Sequence, residues 1–379
     1  MRRTVTGIGQ QNSVFKSLVS KESNRIECLD IAKGIGIILV IMGHTGFLTE
    51  TLKTYVFSFH MPLFFVISGM VMCHKEDLLK ERRSLFEKKA RSLLVPYFWF
   101  SLIYIIIYIV TYNLGLTSKE DFLQSVIYMF TFYGDSTLWF LPALLIAECG
   151  FYLLGQKLKG MKLLFVSLIL GLGCHLLQFG LSILKALNIS NLFITNLIDF
   201  GTGFLRGGVA LMFVAVGYHA FEMLKEREYY YGDEHPGKTR LKYFAVGAVF
   251  LALAFAASKF NVTVDFHRME LGYFSFFFLN ALLGSFGILG ISYGIKSFLP
   301  LSFFGRNSLI IMCSHLNFYI LYAAILWAWF VDTIVTRAKS YVFMFNIVLA
   351  TLVMETILIF IINRFCPFII GKKNEKTSE

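Results

Sequence analysis

The residues of this chain best placed to do chemistry are ionisable side chains set inside long apolar stretches. Asp30, Lys33 and His44 stand on the first stretch, His60 on the second, Glu148 on the fourth, Asp199 and Arg206 on the sixth and His315 on the ninth. A charge held in hydrocarbon costs several kcal/mol, so such a residue lines a cavity, finds a partner or serves a function. Lys33 and His44 are eleven positions apart. At ~100° and ~1.5 Å per residue, that spacing returns to nearly the same helical face ~16 Å along the axis, about half a membrane. Asp30, three positions before Lys33, is within ion-pairing reach on a similar face. One helix face would carry a carboxylate and an ammonium near one membrane surface and, in the other half, an imidazole able to exchange protons near neutral pH. A purely structural account of the same set is a boundary ion pair and a histidine bonded to its neighbour helix.

His60 opens the second stretch in Phe59-His60-Met61-Pro62. A short connection makes the first two stretches antiparallel neighbours, which places His60 at the depth of His44 and allows one cavity to hold both. The structural alternative is a proline kink whose freed carbonyl takes the imidazole. Glu148 follows Leu138-Trp139-Phe140-Leu141-Pro142 and needs a partner or a proton at such a depth. Arg206 lies seven positions past Asp199, so these two could pair across a polar cavity, or either could meet Glu148. His315 follows Gly305-Arg306-Asn307-Ser308-Leu309 and reads as structural, with His175, His219 and Glu355 as packing or capping residues. The glycines around Arg206 (Gly201, Gly203, Gly207, Gly208) sit on a membrane stretch rather than between a strand and a helix, which favours close helix packing over phosphate binding.

Apolar helices must position these residues. Of 379 residues, 56% are hydrophobic and only 16% are charged, and the mean hydropathy is +0.66; soluble domains carry about 25% charged residues. Continuous apolar runs such as 163–184 and 341–362 match the ~20 helical residues that cross a ~30 Å hydrocarbon core. The alternating segments of about ten residues that mark membrane barrels are not found. The chain is therefore expected to be an all-α, polytopic integral membrane protein with about ten transmembrane helices. They fall at roughly 26–48, 54–73, 93–113, 138–155, 163–185, 199–221, 243–260, 271–294, 308–330 and 341–363, with 122–133 a shorter re-entrant or interfacial piece.

Basic residues set the orientation. With the N-terminus inside, the inner segments hold 26 of the 35 lysines and arginines and the outer connections seven, so both termini are expected in the cytoplasm. The net charge of +11 belongs to that asymmetry and gives no reason to expect a nucleic-acid partner. The first 25 residues carry no apolar core with a cleavage site. The expected organisation is a cytoplasmic segment over 1–25, a membrane domain over 26–363 and a cytoplasmic tail over 364–379. No loop is long enough for a soluble catalytic domain. The six scattered cysteines lack metal or redox spacing, and no metal site is expected.

Leu29-Asp30-Ile31-Ala32-Lys33-Gly34-Ile35-Gly36-Ile37, running to Gly43-His44, resembles the opening helix of the type three membrane acyltransferases. Phe59-His60-Met61-Pro62-Leu63-Phe64-Phe65-Val66-Ile67-Ser68-Gly69 resembles their second helix. Leu138-Trp139-Phe140-Leu141 and Phe304-Gly305-Arg306-Asn307-Ser308-Leu309 through His315 are similar to later landmarks of the family. The branch that includes fucose O-acetylases and polysaccharide succinyltransferases looks nearest, and Lys33 stands where many members have arginine.

The resemblance implies an acyltransferase that takes an acyl group, acetyl by default and succinyl next, from cytoplasmic acyl-CoA. The acceptor would be a hydroxyl of a surface polysaccharide or lipid-linked sugar, reached from the outer side of a bacterial inner (plasma) membrane. His44 would be catalytic, either as general base toward the acceptor hydroxyl or as a transient acyl carrier, with Asp30, Lys33, His60 and Glu148 in the same machinery. His60, Glu148 or Arg206 would orient His44, bind sugar hydroxyls or stabilise the oxyanion. Lys33, Lys89 and Arg91 would hold the CoA donor, and Arg206, Trp139 and His315 would meet the acceptor. A transporter or flippase for polysaccharide or lipid-linked sugar is the alternative, since it too needs many helices and a polar path; it does not require the Lys33–His44 pattern joined to Phe59-His60-Met61-Pro62. Two glycosylation sequons, at Asn188 and Asn261, fall on expected outer loops.

Overall fold

The computed structural model describes residues 25–187, 192–231, 236–316, 318, 320–335 and 340–372. Asn188 and most of the segment 1–25 lie outside them. Fifteen α-helices follow one another: α1 Glu27–His44, α2 Glu50–Phe57, α3 His60–His74, α4 Arg82–Lys89, α5 Val95–Asn113, α6 Lys119–Phe130, α7 Phe140–Gly155, α8 Gly160–Ala186, α9 Leu192–Tyr231, α10 Pro236–Ser258, α11 Phe274–Ile295, α12 Leu299–Arg306, α13 Ser308–Ser314, α14 Ile320–Val335 and α15 Ser340–Phe365. Among the described residues the only β pairing is an isolated bridge between Asp265 and Glu270. The protein is an all-α, multi-pass membrane protein.

Among the described residues, eight helical segments are long and apolar enough to cross a membrane. They match the expected spans except the first and the ninth. α1 has 18 residues, and Glu27, Asp30 and Lys33 dilute its apolar character. The ninth is not one helix: α13 ends at Ser314, and α14 resumes at Ile320. The second span is also broken, at Ser58-Phe59 between α2 and α3. Both breaks place a histidine, His315 or His60, at or beside a helix end.

α6 covers most of the stretch 122–133 and, at 12 residues, is too short to cross a membrane by itself. A capping box at Ser118, whose side chain accepts from the Asp121 amide while Asp121 accepts from the Ser118 amide, starts it. It then runs back along α5, and the Tyr97 hydroxyl meets the carbonyls of Tyr128 and Met129, each at 2.9 Å. The chain reverses through Phe132, Gly134 and Ser136, all with positive φ, into the 3-10 turn Ser136–Trp139 that leads α7. Trp139 is thereby aimed into the bundle.

The connection 259–273 departs from a plain outer loop. Val264, Phe266, Met269 and Leu271 are buried, and Phe266 packs against Phe65 and Phe277 with ring centroids 5.5 and 5.9 Å apart. Apolar side chains in a connection have to be buried somewhere, and here the loop folds into the bundle to do it. Asn261 ties this loop down: its side chain accepts from the Tyr273 amide at 2.8 Å and donates to the Leu271 carbonyl at 3.2 Å.

α1 and α12 touch backbone to backbone. A Cβ on Gly305 would fall on the Asp30 carbonyl, and one on Gly34 on the Leu301 carbonyl. Glycine at both positions lets the helix bearing His44 lie flat against the segment leading to His315.

Candidate active site

Three histidines meet where α1, α3 and the end of α13 converge. The imidazole centroids of His44 and His315 are 5.4 Å apart. The Phe57 ring lies 6.2 Å from His44 and 4.9 Å from His60. His60 and His315 are buried, whereas His44, the last residue of α1, is exposed. It is the member of the group that a substrate can reach.

The backbone fixes the tautomers of the two buried rings. His60 Nδ1 is 2.9 Å from the Val56 carbonyl, and His315 Nδ1 is 2.7 Å from the Ile311 carbonyl. A carbonyl oxygen only accepts, so in each neutral ring Nδ1 holds the proton and Nε2 keeps a lone pair. The Nε2 of His315 has no hydrogen-bond partner among the described residues. An N–H of His44 turned toward that lone pair would leave the other His44 nitrogen free to accept a proton.

Ser314, next to His315, donates to the Glu355 carboxylate at 2.8 Å. Glu355 is fully buried and faces no described cation. It is tied through Ser314 to the residue next to His315.

Toward the other end of the bundle, Asp30 accepts from Lys33 Nζ at 2.6 Å and lies 3.4 Å from Arg306 Nε. The Lys33 and Arg306 side chains remain 25% and 42% exposed, so both cations reach beyond the pair. A second network is closed. Lys89, 8% exposed, is held between Asp77 and Glu148 at 3.1 Å from each, and the Ser68 hydroxyl bonds the same glutamate. Lys80 and Lys88 also meet Asp77. Burial alone would push the Asp77 carboxyl up, but the Lys89, Lys80 and Lys88 ammonium groups together hold it below the usual carboxylate range. Glu148 thus pairs with Lys89 rather than with Arg206 or the histidines. Arg91, two positions on, is exposed and lines a cavity of about 580 Å³ with Leu94, Phe98 and Trp99.

Arg206 is fully buried with no carboxylate in ion-pairing contact among the described residues, and Asp199 pairs instead with Lys185 at 2.9 Å. Its Nη1 donates to the Tyr133 carbonyl at 2.9 Å, while Nε and Nη2 have no partner among the described residues. The guanidinium lies over two rings, 4.9 Å from the Tyr133 centroid and 5.1 Å from Trp139. Trp139 in turn stacks on Phe266 and His267 of the in-folded loop, at 5.6 and 5.9 Å with interplanar angles of 12° and 5°. Burial first, and then the charges of Arg206 and Arg268, hold the His267 imidazole well below its ordinary value, so it is neutral at pH 7. Asp265, two positions earlier, interacts electrostatically with both Arg206 and His44.

Sequence reasoning missed Asp77, Asp265 and His267, all in connections where a charge normally meets water. For Asp265 and His267 a signal was present: Val264-Asp265-Phe266-His267 alternates apolar and polar, the pattern of a segment with one buried side.

A family model described as an acyltransferase domain, that of the acyltransferase 3 family, matches residues 26–370, which takes in every side chain of these groups. No curated protein and no solved structure matches the chain. With nine-tenths of its length under that match, and with the membrane-spanning helical bundle the match requires, the chain belongs to the acyltransferase 3 family and is a membrane acyltransferase.

Proposed function

We propose that the protein moves an acyl group, acetyl in the first instance and succinyl in the second, from acyl-CoA to a hydroxyl of a surface polysaccharide or lipid-linked sugar. The observation that carries this reading is His44, an exposed residue at the end of α1, beside His315, whose Nε2 has no hydrogen-bond partner among the described residues. In the proposed step, a His44 nitrogen takes the acceptor hydroxyl proton as the oxygen attacks the thioester carbonyl. The tetrahedral intermediate then expels the CoA thiolate, which recovers the proton from His44. His315 Nε2 accepts the second N–H of His44 and stabilises the imidazolium, the role an orienting acceptor has in nucleophile–base pairs. A covalent acyl-His44 intermediate uses the same residues in two transfers.

With the orientation that the distribution of basic residues favours, Lys33, Arg306 and Arg91 lie at the cytoplasmic end, where their cations would hold CoA phosphates. Arg306 joins this set because it shares Asp30 with Lys33. Lys89, neutralised by two carboxylates, is assigned to holding α4 against α7. His44 and the in-folded loop then face the acceptor from the outer side of a bacterial inner membrane, with both termini in the cytoplasm. The Nε and Nη2 of Arg206, without a hydrogen-bond partner among the described residues, are suited to a sugar hydroxyl or a developing oxyanion.

Purified protein in lipid nanodiscs, given labelled acetyl-CoA or succinyl-CoA and an extracted membrane glycan fraction, tests the reading. Label in a base-labile ester on glycan, matched by release of free CoA thiol, supports it. Neither product with either donor would leave the transporter reading in its place.

A further inference from the structure

A cavity of about 940 Å³ opens between α8, α9 and the in-folded loop, at the end that the charge pattern places outside. It is separate from the histidine group but shares a wall with the arginine–aromatic group, because Tyr133 lines it while offering its carbonyl to Arg206. Its size falls within the range of small-molecule sites.

One feature of its wall lacks a structural explanation. Gln178 on α8 lines the cavity and is only 6% exposed, and its carbonyl oxygen Oε1 has no hydrogen-bond partner among the described residues. A buried amide oxygen left without a donor is costly, because its hydrogen bond to water is lost and nothing replaces it. Two turns farther along the same helix, Lys185 stands in ion pair with Asp199 across the cavity mouth, and the lysine side chain is still half exposed. One turn before Gln178 on the same helix, the ring of His175 stacks on Phe274 of α11 at 4.4 Å, and both rings line the cavity. A planar amide, a carboxylate–ammonium pair and aromatic faces together suit a saccharide, which offers many hydroxyl donors and apolar C–H faces. The lip of the cavity is different. Leu176 and Phe179 line it and are 60% and 62% exposed, on a helix whose apolar side chains largely face outward.

We infer that this cavity binds the saccharide portion of a membrane-anchored glycan, with its hydrocarbon anchor lying along Leu176 and Phe179, and holds sugars that flank the one to be acylated. The role of those sugars as part of the acceptor rests on the acyl-transfer reading; the binding itself does not.

The test uses full-length protein in nanodiscs and a dodecyl trisaccharide carrying a photoreactive diazirine on its reducing sugar. Expected is labelling of peptides spanning 175–185 and 268–274, at least fivefold weaker in Gln178→Leu. Excess free trisaccharide should compete with it, and dodecyl diazirine without sugar should not reproduce it. His44→Ala should label like wild type, so a failure of the chemistry assigned to His44 leaves this result readable. Should Gln178→Leu not be recovered folded, Gln178→Met, closer in shape, takes its place with the same expected loss. Labelling unchanged by the Gln178 substitution, or equally strong with the sugar-free probe, overturns the inference.

Discussion

His315 lies with its imidazole 5.4 Å from that of His44 and commits its Nδ1 proton to the Ile311 carbonyl. The Nε2 lone pair that remains is the feature that distinguishes His44 from a histidine merely bonded to a neighbour helix. A base must present a free nitrogen, and His315 offers somewhere for the other nitrogen's proton to go.

His315 is then a positioning residue, and its substitution should act on turnover. His315→Ala is expected to lower kcat about 10–100-fold, part of the ~10²–10⁴-fold that acid–base catalysis contributes, with KM for acyl-CoA little changed. His315→Gln, whose amide oxygen can accept from His44, should recover part of the loss. Steady-state kinetics of the three proteins check this, and an equal loss in the Gln variant would point to packing alone.

Lys89 should matter to stability before it matters to donor binding. Removing one partner of a buried pair typically costs about 3–5 kcal/mol, and Lys89→Met strips both Asp77 and Glu148 of their buried ammonium. A marked drop in thermal unfolding temperature in detergent is expected. Arg91→Ala, at an exposed position, should leave that temperature nearly unchanged and raise KM for acyl-CoA.

The Asp77 network has a definite pH signature. Its carboxyl is held below the ordinary value of 3.8 in the folded protein, so its contribution is fully present above the unfolded value and is lost as pH falls through the folded one. The unfolding-temperature gap between wild type and Asp77→Asn should therefore stay constant from pH 8 to about pH 5 and close progressively below about pH 4. A gap that grows on acidification would contradict the arrangement.

Gly305→Ala tests the α1–α12 contact. Its new methyl group would fall on the Asp30 carbonyl, and backbone cannot yield as a side-chain tip can. Overpacking of this kind costs about 1–3 kcal/mol, and separating the helices would also weaken the Asp30–Arg306 pair. Lower stability together with a raised acyl-CoA KM is expected, measured by thermal unfolding and initial rates.

Much of this architecture was legible in the sequence because hydrocarbon is a strict solvent. Runs such as 163–184 and 341–362 have few ways to satisfy their backbones, and α8 and α15 lie where they should. The Asp30–Lys33 pair followed from helical spacing alone. Helix spacing could not show which distant residues meet: Glu148 goes to Lys89 and Asp199 to Lys185, since partner choice depends on how helices rotate and slide. The in-folded loop was hidden for the opposite reason. A connection of mixed polarity is expected in water, and only tertiary packing turns Phe266 and His267 onto Trp139. The break after α13, which frees His315 to approach His44, likewise looked like continuous span.

Proton transfer by His44 is tested by acyl transfer from labelled acetyl-CoA to membrane glycans, comparing wild type with His44→Ala at matched membrane levels. A loss of about 100-fold or more, with donor binding retained, is the predicted result. Transfer by His44→Ala at close to the wild-type rate would contradict the account and take His44 out of the chemistry.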